Sequence, residues 1–282
     1  MSLYGWIVGE KEEDNVSEIS EQQHIDFSSF WMVTDYIYEK SGITELDKRA
    51  LTSSRLQTYA TENEIYTTND FLAKMKHDTS FYQDVINIAT VNETFFLREI
   101  KELEWLVEYV KEQDRALKIL SMPSSSGEEI YSILLLLSEA GVDLSNISIR
   151  GYDINSNAIA HAKSGEFEEH SLHKLDFTMK QKYFTKLQDH YKISQTFINK
   201  AEFFQKNIFE IIGESNSYDI VLSRNMFIYF DKEKQKEATD IIVNILKDGG
   251  VFIKGHADSI YEHPDLKSLK YGVYKKEKGD KV

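Results

Sequence analysis

From about residue 92 onward, the sequence alternates short apolar runs with segments that have the period of an amphipathic helix. The apolar runs predict strands at 117–122, 147–154, 218–222 and 251–254, and helical patterns at 130–137, 156–163 and 231–247 lie between them. Parallel strands need a crossover connection, which is usually a helix. The alternation therefore predicts an α/β fold with a doubly wound, mostly parallel sheet and helices on both faces.

The stretch from residue 25 to residue 90 has apolar residues at helical spacing and no strand-like alternation. It predicts four helices, with Ser41-Gly42 ending the first, a second starting near Thr44, and Thr68-Asn69-Asp70 capping the third. The residues expected in its core are Phe27, Phe30, Val33, Ile37, Leu46, Leu51, Leu56, Phe71, Leu72, Met75, Phe81, Val85 and Ile88. We expect an acidic flexible tail at 1–24, an all-helical domain at 25–90 and the α/β domain at 91–282.

The composition argues against several classes of protein. A formal net charge of −14 does not suit a chain that binds nucleic acid over an extended basic face. The absence of cysteine excludes disulfides, cysteine metal sites and a cysteine nucleophile. No apolar run approaches the ~18 residues of a membrane span, and the N-terminus lacks the pattern of a secretory leader. We expect a cytoplasmic protein without direct membrane insertion.

The loop after the first predicted strand could bind a ligand. It runs Ser124-Ser-Ser-Gly127-Glu128-Glu129, with small side chains before the free N–H groups of a helix start. The Gly-x-Gly-x-x-Gly pattern of dinucleotide enzymes is absent, and the two acids would repel a pyrophosphate. The loop favours a ligand with a positive charge or an amino group, although an ordinary turn with dipole-stabilising acids has the same pattern.

Polar residues also follow the other predicted strands. Asp153 ends the second strand, 26 positions after Gly127, where an acid can accept hydrogen bonds from a ribose diol. It could instead cap the next helix, but Asn155 is better placed for that role. Asn207-Ile208 and Ser223-Arg224-Asn225 complete the same rim, where an asparagine and a backbone N–H can contact an adenine edge.

A segment just before the α/β part runs Asn92-Glu-Thr94-Phe95-Phe96-Leu97-Arg98-Glu99. We expect Phe95 and Phe96 in the core. Arg98 either lies over the pocket or pairs with Glu99 or Glu102.

Taken together, these segments resemble the chemotaxis receptor methyltransferases, the CheR family. The family's N-x-T-x-F-F-R-[ED] pattern is similar to residues 92–99, with Leu97 in place of the second Phe, and its S-T-G-E-E-x-Y-S is similar to residues 125–132. Its D-I-x-x-x-x-L-x-x-A-x-x-G is similar to residues 153–165. Its R-N-x-x-I-Y-F and L-K-x-G-G-x-x-x-x-G-H are similar to residues 224–230 and 246–256. The resemblance covers roughly residues 25–275.

The resemblance implies an S-adenosylmethionine-dependent enzyme with a class I methyltransferase fold and a small inserted subdomain around 168–200. It would form methyl esters on glutamate side chains of the cytoplasmic domain of transmembrane chemoreceptors, in chemotaxis adaptation, and release S-adenosylhomocysteine. The implied cofactor pocket is lined by Asn92, Thr94, Arg98, Glu129, Asp153, Asn207, Ile208, Ser223 and Arg224. Arg98 and Tyr229 would also face the methyl acceptor. No metal is implied, and we expect a monomer.

The chain also departs from the family in two other places. Pro123 and Ser124 replace a pair of small residues, and the second helix keeps one arginine, Arg55, where the family often has several that dock on the receptor. Residues 174–206 carry seven lysines against three acids, which suits either docking or a solvated loop. Two alternatives therefore remain: a methyltransferase of the same fold with another acceptor, and a non-catalytic module that regulates by binding S-adenosylmethionine.

Overall fold

The computed structural model describes residues 29–44 and 50–277. The predicted acidic tail, Phe27 and Leu46 lie outside these residues, as does the side chain of Leu51. The helices are α1 (Trp31–Ser41), α2 (Ala50–Glu62), α3 (Thr68–His77), α4 (Thr79–Ala89), α5 (Ile100–Lys111), α6 (Glu128–Glu139), α7 (Ser156–Ser164), α8 (Phe177–Tyr183), α9 (Gln195–Ile198) and α10 (Lys232–Ile245). The strands are β1 (Leu117–Ser121), β2 (Ile147–Asp153), β3 (Glu166–Glu168), β4 (Phe184–Lys186), β5 (His190–Ile193), β6 (Ala201–Gln205), β7 (Tyr218–Ser223), β8 (Leu246–Lys254), β9 (Leu266–Lys270) and β10 (Val273–Lys276).

A seven-stranded sheet has the order β6-β2-β1-β7-β8-β10-β9. The first five strands in this order are parallel, and β10 and β9 extend the sheet as antiparallel strands. This confirms the predicted α/β class with a mostly parallel sheet. Ser121 pairs with Gly151 on one side and Leu222 on the other, so β1, β2 and β7 end at the same edge. The order of the chain reverses beside β1, which is where such sheets bind ligands.

Three strands of this sheet were not predicted. In β6 only Phe203 is buried, and β9 has the sequence Leu-Lys-Ser-Leu-Lys with four exposed residues, so neither has the apolar run of a central strand. The lysines of β9 lie on an edge, where charge prevents pairing with other chains. The predicted end of the last helix near residue 247 is also wrong. The helix ends at Ile245, and β8 begins at once, with Gly249 inside it at φ 77°.

The helices α1 to α4 enclose a core of their own. Phe30, Val33, Ile37, Leu56, Phe71, Leu72, Met75, Phe81 and Val85 are buried in it, as predicted, whereas Ile88 is only partly buried. Thr67, rather than a residue of 68–70, caps α3 by accepting a hydrogen bond from Asp70 N–H at 3.1 Å. The domain limit at residue 90 stays a prediction.

A polar contact fixes α4 against the sheet at the loop between β2 and α7. Asn155 caps α7 by accepting from Ala158 N–H at 2.9 Å, as the sequence suggested. Its amide also donates to the Thr90 hydroxyl at 2.7 Å and to the Asn87 carbonyl at 3.2 Å. One buried side chain thus joins the helical region to the rim of the sheet.

We expect Asn155→Ala to lower the free energy of unfolding by about 2–3 kcal/mol. Loss of a helix cap costs about 1 kcal/mol, and buried partners left without a hydrogen bond add a comparable amount each. Urea unfolding followed by circular dichroism measures the change. Asn146→Ala is the matched control, since Asn146 is exposed. Equal stabilities of the two variants would contradict the role given to Asn155.

A second, three-stranded sheet with the order β3-β5-β4 lies in the region where the resemblance implies an insertion. The lysines of residues 174–206 are less available to a docking partner than their number suggests. Lys180, Lys182, Lys192 and Lys206 pair with Glu169, Glu139, Glu166 and Glu214, all of which lie outside that segment. The positive charge counted along the sequence is therefore largely neutralised in the fold.

Across the described residues, every helix is too short or too polar to cross a membrane.

Candidate functional site

A cavity opens at the carboxyl edge of the sheet, between the ends of β1, β2 and β7 and the segment that links α4 to α5. The predicted site residues that line it are Asn92, Thr94, Arg98, Glu129, Asp153, Asn207, Ile208, Arg224 and Tyr229. Ser223 does not line the cavity. Its hydroxyl is fully buried and lies 3.8 Å from the Met226 sulfur. A contact from Ser223 to a ligand would therefore have to come from its backbone.

Asp153 occupies the end of β2 and is 4% exposed. Its Oδ2 accepts from Ser125 N–H and its Oδ1 from Asn155 N–H, both at 2.8 Å. Burial raises the pKa of this carboxyl to about 6, although the backbone hydrogen bonds oppose the shift. Each oxygen keeps a lone pair for a second donor, so the carboxylate is fixed in place and still able to accept from two hydroxyls.

The loop after β1 differs in detail from the prediction. Gly127 was expected to let the backbone approach a ligand, but it does not line the cavity. Its φ is 96°, and a Cβ there would lie 3.1 Å from Phe203 and Tyr131 side-chain atoms. The glycine is therefore required by a left-handed turn packed on the core. Glu128 is also structural, because it is buried and accepts from the hydroxyls of Ser126 and Ser171, both at 2.7 Å.

A buried guanidinium organises the rear of the cavity. Arg224 donates to Glu129 Oε2 at 2.6 Å and to the carbonyl of Arg98, and its Nη2 lies 3.4 Å from Glu99 Oε2. Ser121 donates to the other Glu129 oxygen at 2.9 Å. These bonds join the segment before α5 to the ends of β1 and β7. Removing either partner would leave a buried charge unpaired, which costs far more than a surface pair contributes.

Of the cations that line the cavity in the described part of the chain, Arg98 is the one without a carboxylate partner. It is half-buried, and its Nη1 donates to the Glu93 carbonyl at 2.6 Å, with Cζ 5.9 Å from the centre of the Phe95 ring. Within residues 29–44 and 50–277, no carboxylate lies within 4 Å of its guanidinium nitrogens. The alternative in which Arg98 pairs with Glu99 or Glu102 is therefore not found. Phe96 is fully buried as predicted, whereas Phe95 is partly exposed and lines the cavity.

The asparagine expected to contact an adenine has another task. The Asn207 amide donates to the Lys40 carbonyl at 2.7 Å, and its oxygen accepts from Phe209 N–H at 3.1 Å. Its side chain joins the end of α1 to the sheet edge, so a ligand would meet Ile208 and backbone atoms instead. The Tyr229 carbonyl makes a parallel connection, since it accepts from both N–H and Oγ1 of Thr44, at 3.0 and 2.9 Å.

Sequence reasoning missed the residue that holds the loop carrying Tyr229. Asp258 is buried and accepts backbone hydrogen bonds from Asn225 at 2.5 Å, Gly255 at 3.0 Å and Ile228 at 3.3 Å. Burial raises the pKa of its carboxyl, and the three N–H groups oppose that change. A hydrophilic residue four positions after a strand does not reveal this role in the sequence, because two of its three partners are backbone groups distant in the chain.

The cavity fits a nucleoside that carries an amino acid. Two of its polar atoms are buried without a hydrogen-bond partner among the described residues, Ser124 Oγ and Arg224 Nε. Buried polar atoms are normally satisfied, so they mark places for ligand groups. Asp153 suits a diol, the acids suit an amino group, and Ile154, Ile208 and Phe230 supply the apolar wall that a base needs.

Comparison with known proteins agrees with this geometry. A family model described as "CheR methyltransferase, SAM binding domain" matches residues 92–273. A chemotaxis protein methyltransferase of Campylobacter jejuni is 34% identical over 242 residues, which are 84% of this chain and 92% of that protein. Chemotaxis protein methyltransferase 2 of Vibrio cholerae is 32% identical over 271 residues, 89% of this chain and 94% of that protein. The chemotaxis protein methyltransferase of Escherichia coli is 24% identical over 251 residues, 86% of this chain and 88% of that protein.

Proposed function

The chain belongs to the CheR methyltransferase family, and on that premise we propose that it methylates glutamate side-chain carboxylates of chemoreceptors. It is an S-adenosylmethionine-dependent methyltransferase of the chemotaxis system. The proposal concerns the acceptor, the ester product and the residues that act on them. Its partner is the cytoplasmic domain of a transmembrane chemoreceptor.

The observation that carries this proposal is the state of Arg98. In a chain with net charge −14, a half-buried guanidinium lines the cavity, and its only hydrogen-bond acceptor within the described part of the chain is a carbonyl. Such a group attracts a carboxylate, with which arginine can form two parallel hydrogen bonds. Tyr229 lines the same cavity, so the two side chains suit an acidic acceptor.

Positioning is the work left to the protein. When bound, S-adenosylmethionine supplies an electrophilic methyl group on a sulfonium, with a neutral thioether as the leaving group. A glutamate carboxylate, with an ordinary pKa of about 4.3, is already ionised at neutral pH and needs no general base. Asp153 holds the ribose, Arg98 orients the carboxylate, and Tyr229 limits its approach. Such alignment contributes roughly 7–11 kcal/mol in favourable cases.

Ester formation removes the charge that Arg98 recognises. The acceptor binds as an anion and leaves as a neutral ester, so the charge-assisted hydrogen bonds to the guanidinium are lost in the product. The same residue that favours binding of the substrate therefore also favours release of the product.

Methyl transfer to purified chemoreceptor cytoplasmic fragments tests the proposed acceptor. With radiolabelled S-adenosylmethionine, we expect base-labile methyl esters on glutamates. A matched fragment with those glutamates replaced by glutamine should accept no label. Label on both fragments, or on neither, would contradict glutamate methylation of receptors.

A methyltransferase with another acceptor is the second candidate, because α2 presents few basic groups. Arg55 is exposed on α2, and the sequence of that helix contains no other arginine. Failure on every receptor fragment together with transfer to another protein would favour it. Binding of S-adenosylmethionine without any transfer would favour the non-catalytic module.

Affinity for S-adenosylhomocysteine should fall as the pH drops through about 6. Burial holds the pKa of Asp153 at about 6, and only the ionised carboxylate can accept from both ribose hydroxyls. The group is ionised above this pH and protonated below it, so about a tenfold weaker Kd is expected at pH 5 than at pH 7. Isothermal titration calorimetry across pH 5–8 measures this, and Asp153→Asn should abolish the dependence. An unchanged affinity in the wild type would argue against a diol contact.

A further inference from the structure

A cluster of two carboxylates and one imidazole lies behind the cavity, and the proposed function does not use it. Glu99 is the residue before α5 and has φ 48°, Glu102 lies in the first turn of that helix, and His256 follows β8. Both carboxylates face the loop that carries the histidine: Glu99 Oε2 accepts from the His256 backbone N–H at 3.1 Å, and Glu102 Oε1 lies 2.8 Å from His256 Nε2. One oxygen of each glutamate and one nitrogen of His256 lie within 4.8 Å of one another.

One oxygen in this cluster has no partner. Glu102 is 4% exposed, and its Oε1 lies 2.8 Å from His256 Nε2, but its Oε2 is buried without a hydrogen bond within the described residues. An unpaired carboxylate oxygen is costly to bury, because it loses its hydration and gains nothing in return. The position calls for a cation that bonds to oxygen.

The local charges lead to the same conclusion. Glu99 and Glu129 share one permanent cation among the described residues, Arg224, whose shorter contact to a carboxylate is with Glu129 at 2.6 Å. Arg224 and Glu129 therefore balance each other. Glu99 keeps the 3.4 Å contact to Arg224, the His256 backbone N–H and the Asn225 amide, and Glu102 keeps the His256 side chain. A divalent ion would neutralise both carboxylates.

We propose that Glu99, Glu102 and His256 bind a divalent transition-metal ion of the Zn²⁺ class. Carboxylate oxygen with imidazole nitrogen suits zinc, whereas calcium and magnesium take oxygen ligands. Tetrahedral zinc with bonds of about 2.0–2.1 Å places its ligand atoms about 3.3 Å apart. The present spread of up to 4.8 Å closes by side-chain movement of about an ångström, and a water takes the fourth position.

The site has an entry path and a connection to the cavity. The His256 side chain is 47% exposed, so an ion reaches it from solvent. Glu99 Oε2 lies 3.4 Å from Arg224 Nη2, and Arg224 lines the cavity, so one ion pair connects the two sites.

The test is a titration of the full-length, chelator-treated protein with Zn²⁺, followed by calorimetry, and with Co²⁺, followed by its visible absorption. We expect one ion per chain with micromolar affinity and a Co²⁺ spectrum typical of tetrahedral coordination. Glu102→Gln and His256→Ala should each weaken binding at least tenfold. The titration uses neither cofactor nor acceptor, so its outcome is independent of the proposed function.

The matched control is His170→Ala, which removes the exposed histidine 3.3 Å from Glu168 and should leave the affinity unchanged. Thermal unfolding shows whether each variant folds. If Glu102→Gln does not fold, His256→Ala still tests the site, because it replaces a side chain that is exposed to solvent. Absence of Zn²⁺ binding by the wild type would overturn the proposal. So would equal affinity of the wild type and a folded variant, and the cluster would then be an ion pair only.

Discussion

Replacement of Arg98 by alanine is expected to lower kcat/KM for methyl transfer by ~10²–10³, the usual effect of removing one preorganised electrostatic donor. The side chain lines the cavity, and its only acceptor in the described structure is the Glu93 carbonyl, so its charge is available to the acceptor. Binding of S-adenosylhomocysteine should weaken much less, because other residues hold the nucleoside. A radiolabel assay with a receptor fragment measures the rate.

Two further variants separate charge from geometry. Arg98→Lys keeps the charge but loses the planar fork, so an intermediate rate is expected. Arg150→Ala removes a guanidinium paired with Glu202 on the exposed sheet edge and should leave the rate unchanged. A rate of Arg98→Ala within threefold of the wild type would remove Arg98 from the proposed mechanism.

Asp153→Asn should raise the Kd for S-adenosylhomocysteine by ~10²-fold at pH 7.5. Hydrogen bonds to a charged acceptor contribute about 1.5–3 kcal/mol each, and loss of about 3 kcal/mol corresponds to that factor. The amide has the shape of the carboxylate, but its oxygen can accept from only one of the two backbone donors, Ser125 and Asn155, so the fold of the variant has to be checked. Calorimetry measures the affinity, and thermal unfolding checks the fold.

Asp143→Asn is the control for this experiment. Asp143 also accepts hydrogen bonds from a turn, from Ser145 N–H at 2.9 Å and its hydroxyl at 2.8 Å, but it does not line the cavity. Its replacement should leave the Kd for S-adenosylhomocysteine unchanged. If Asp153→Asn binds within threefold of the wild type, the ribose lies elsewhere and the proposed orientation of the nucleoside is wrong.

The central part of the fold was predictable because its signals are local. A buried parallel strand such as β7 is buried along its whole length and has an apolar run, here residues 220–222, and an amphipathic helix repeats its apolar face every three to four residues. Edge strands such as β6 and β9 bury few residues and have no such signal. Exposure, rather than length, explains why they were missed.

The residues of the cavity also divide into those that could be identified from the sequence and those that could not. Asp153 was identifiable because an acid at the end of a buried strand is chemically unusual, and the structure places it in the cavity. Asp258 could not be identified, because two of its three partners are backbone groups of a loop 30 or more positions away. The structure also shows that Gly127 packs on the core and that the Asn207 side chain joins the end of α1 to the sheet edge. No sequence pattern predicts either role.

The amino-acid sequence by itself determined the alternation of strands and helices, and with it the sheet edge where polar residues meet. Only the tertiary structure decided which charges remain available. Arg224 is neutralised by Glu129, from another element, whereas Arg98 has no carboxylate beside it in the described residues. The physical reason is that periodicity acts between near neighbours in the chain, but the pairing of charges depends on distances across the folded molecule.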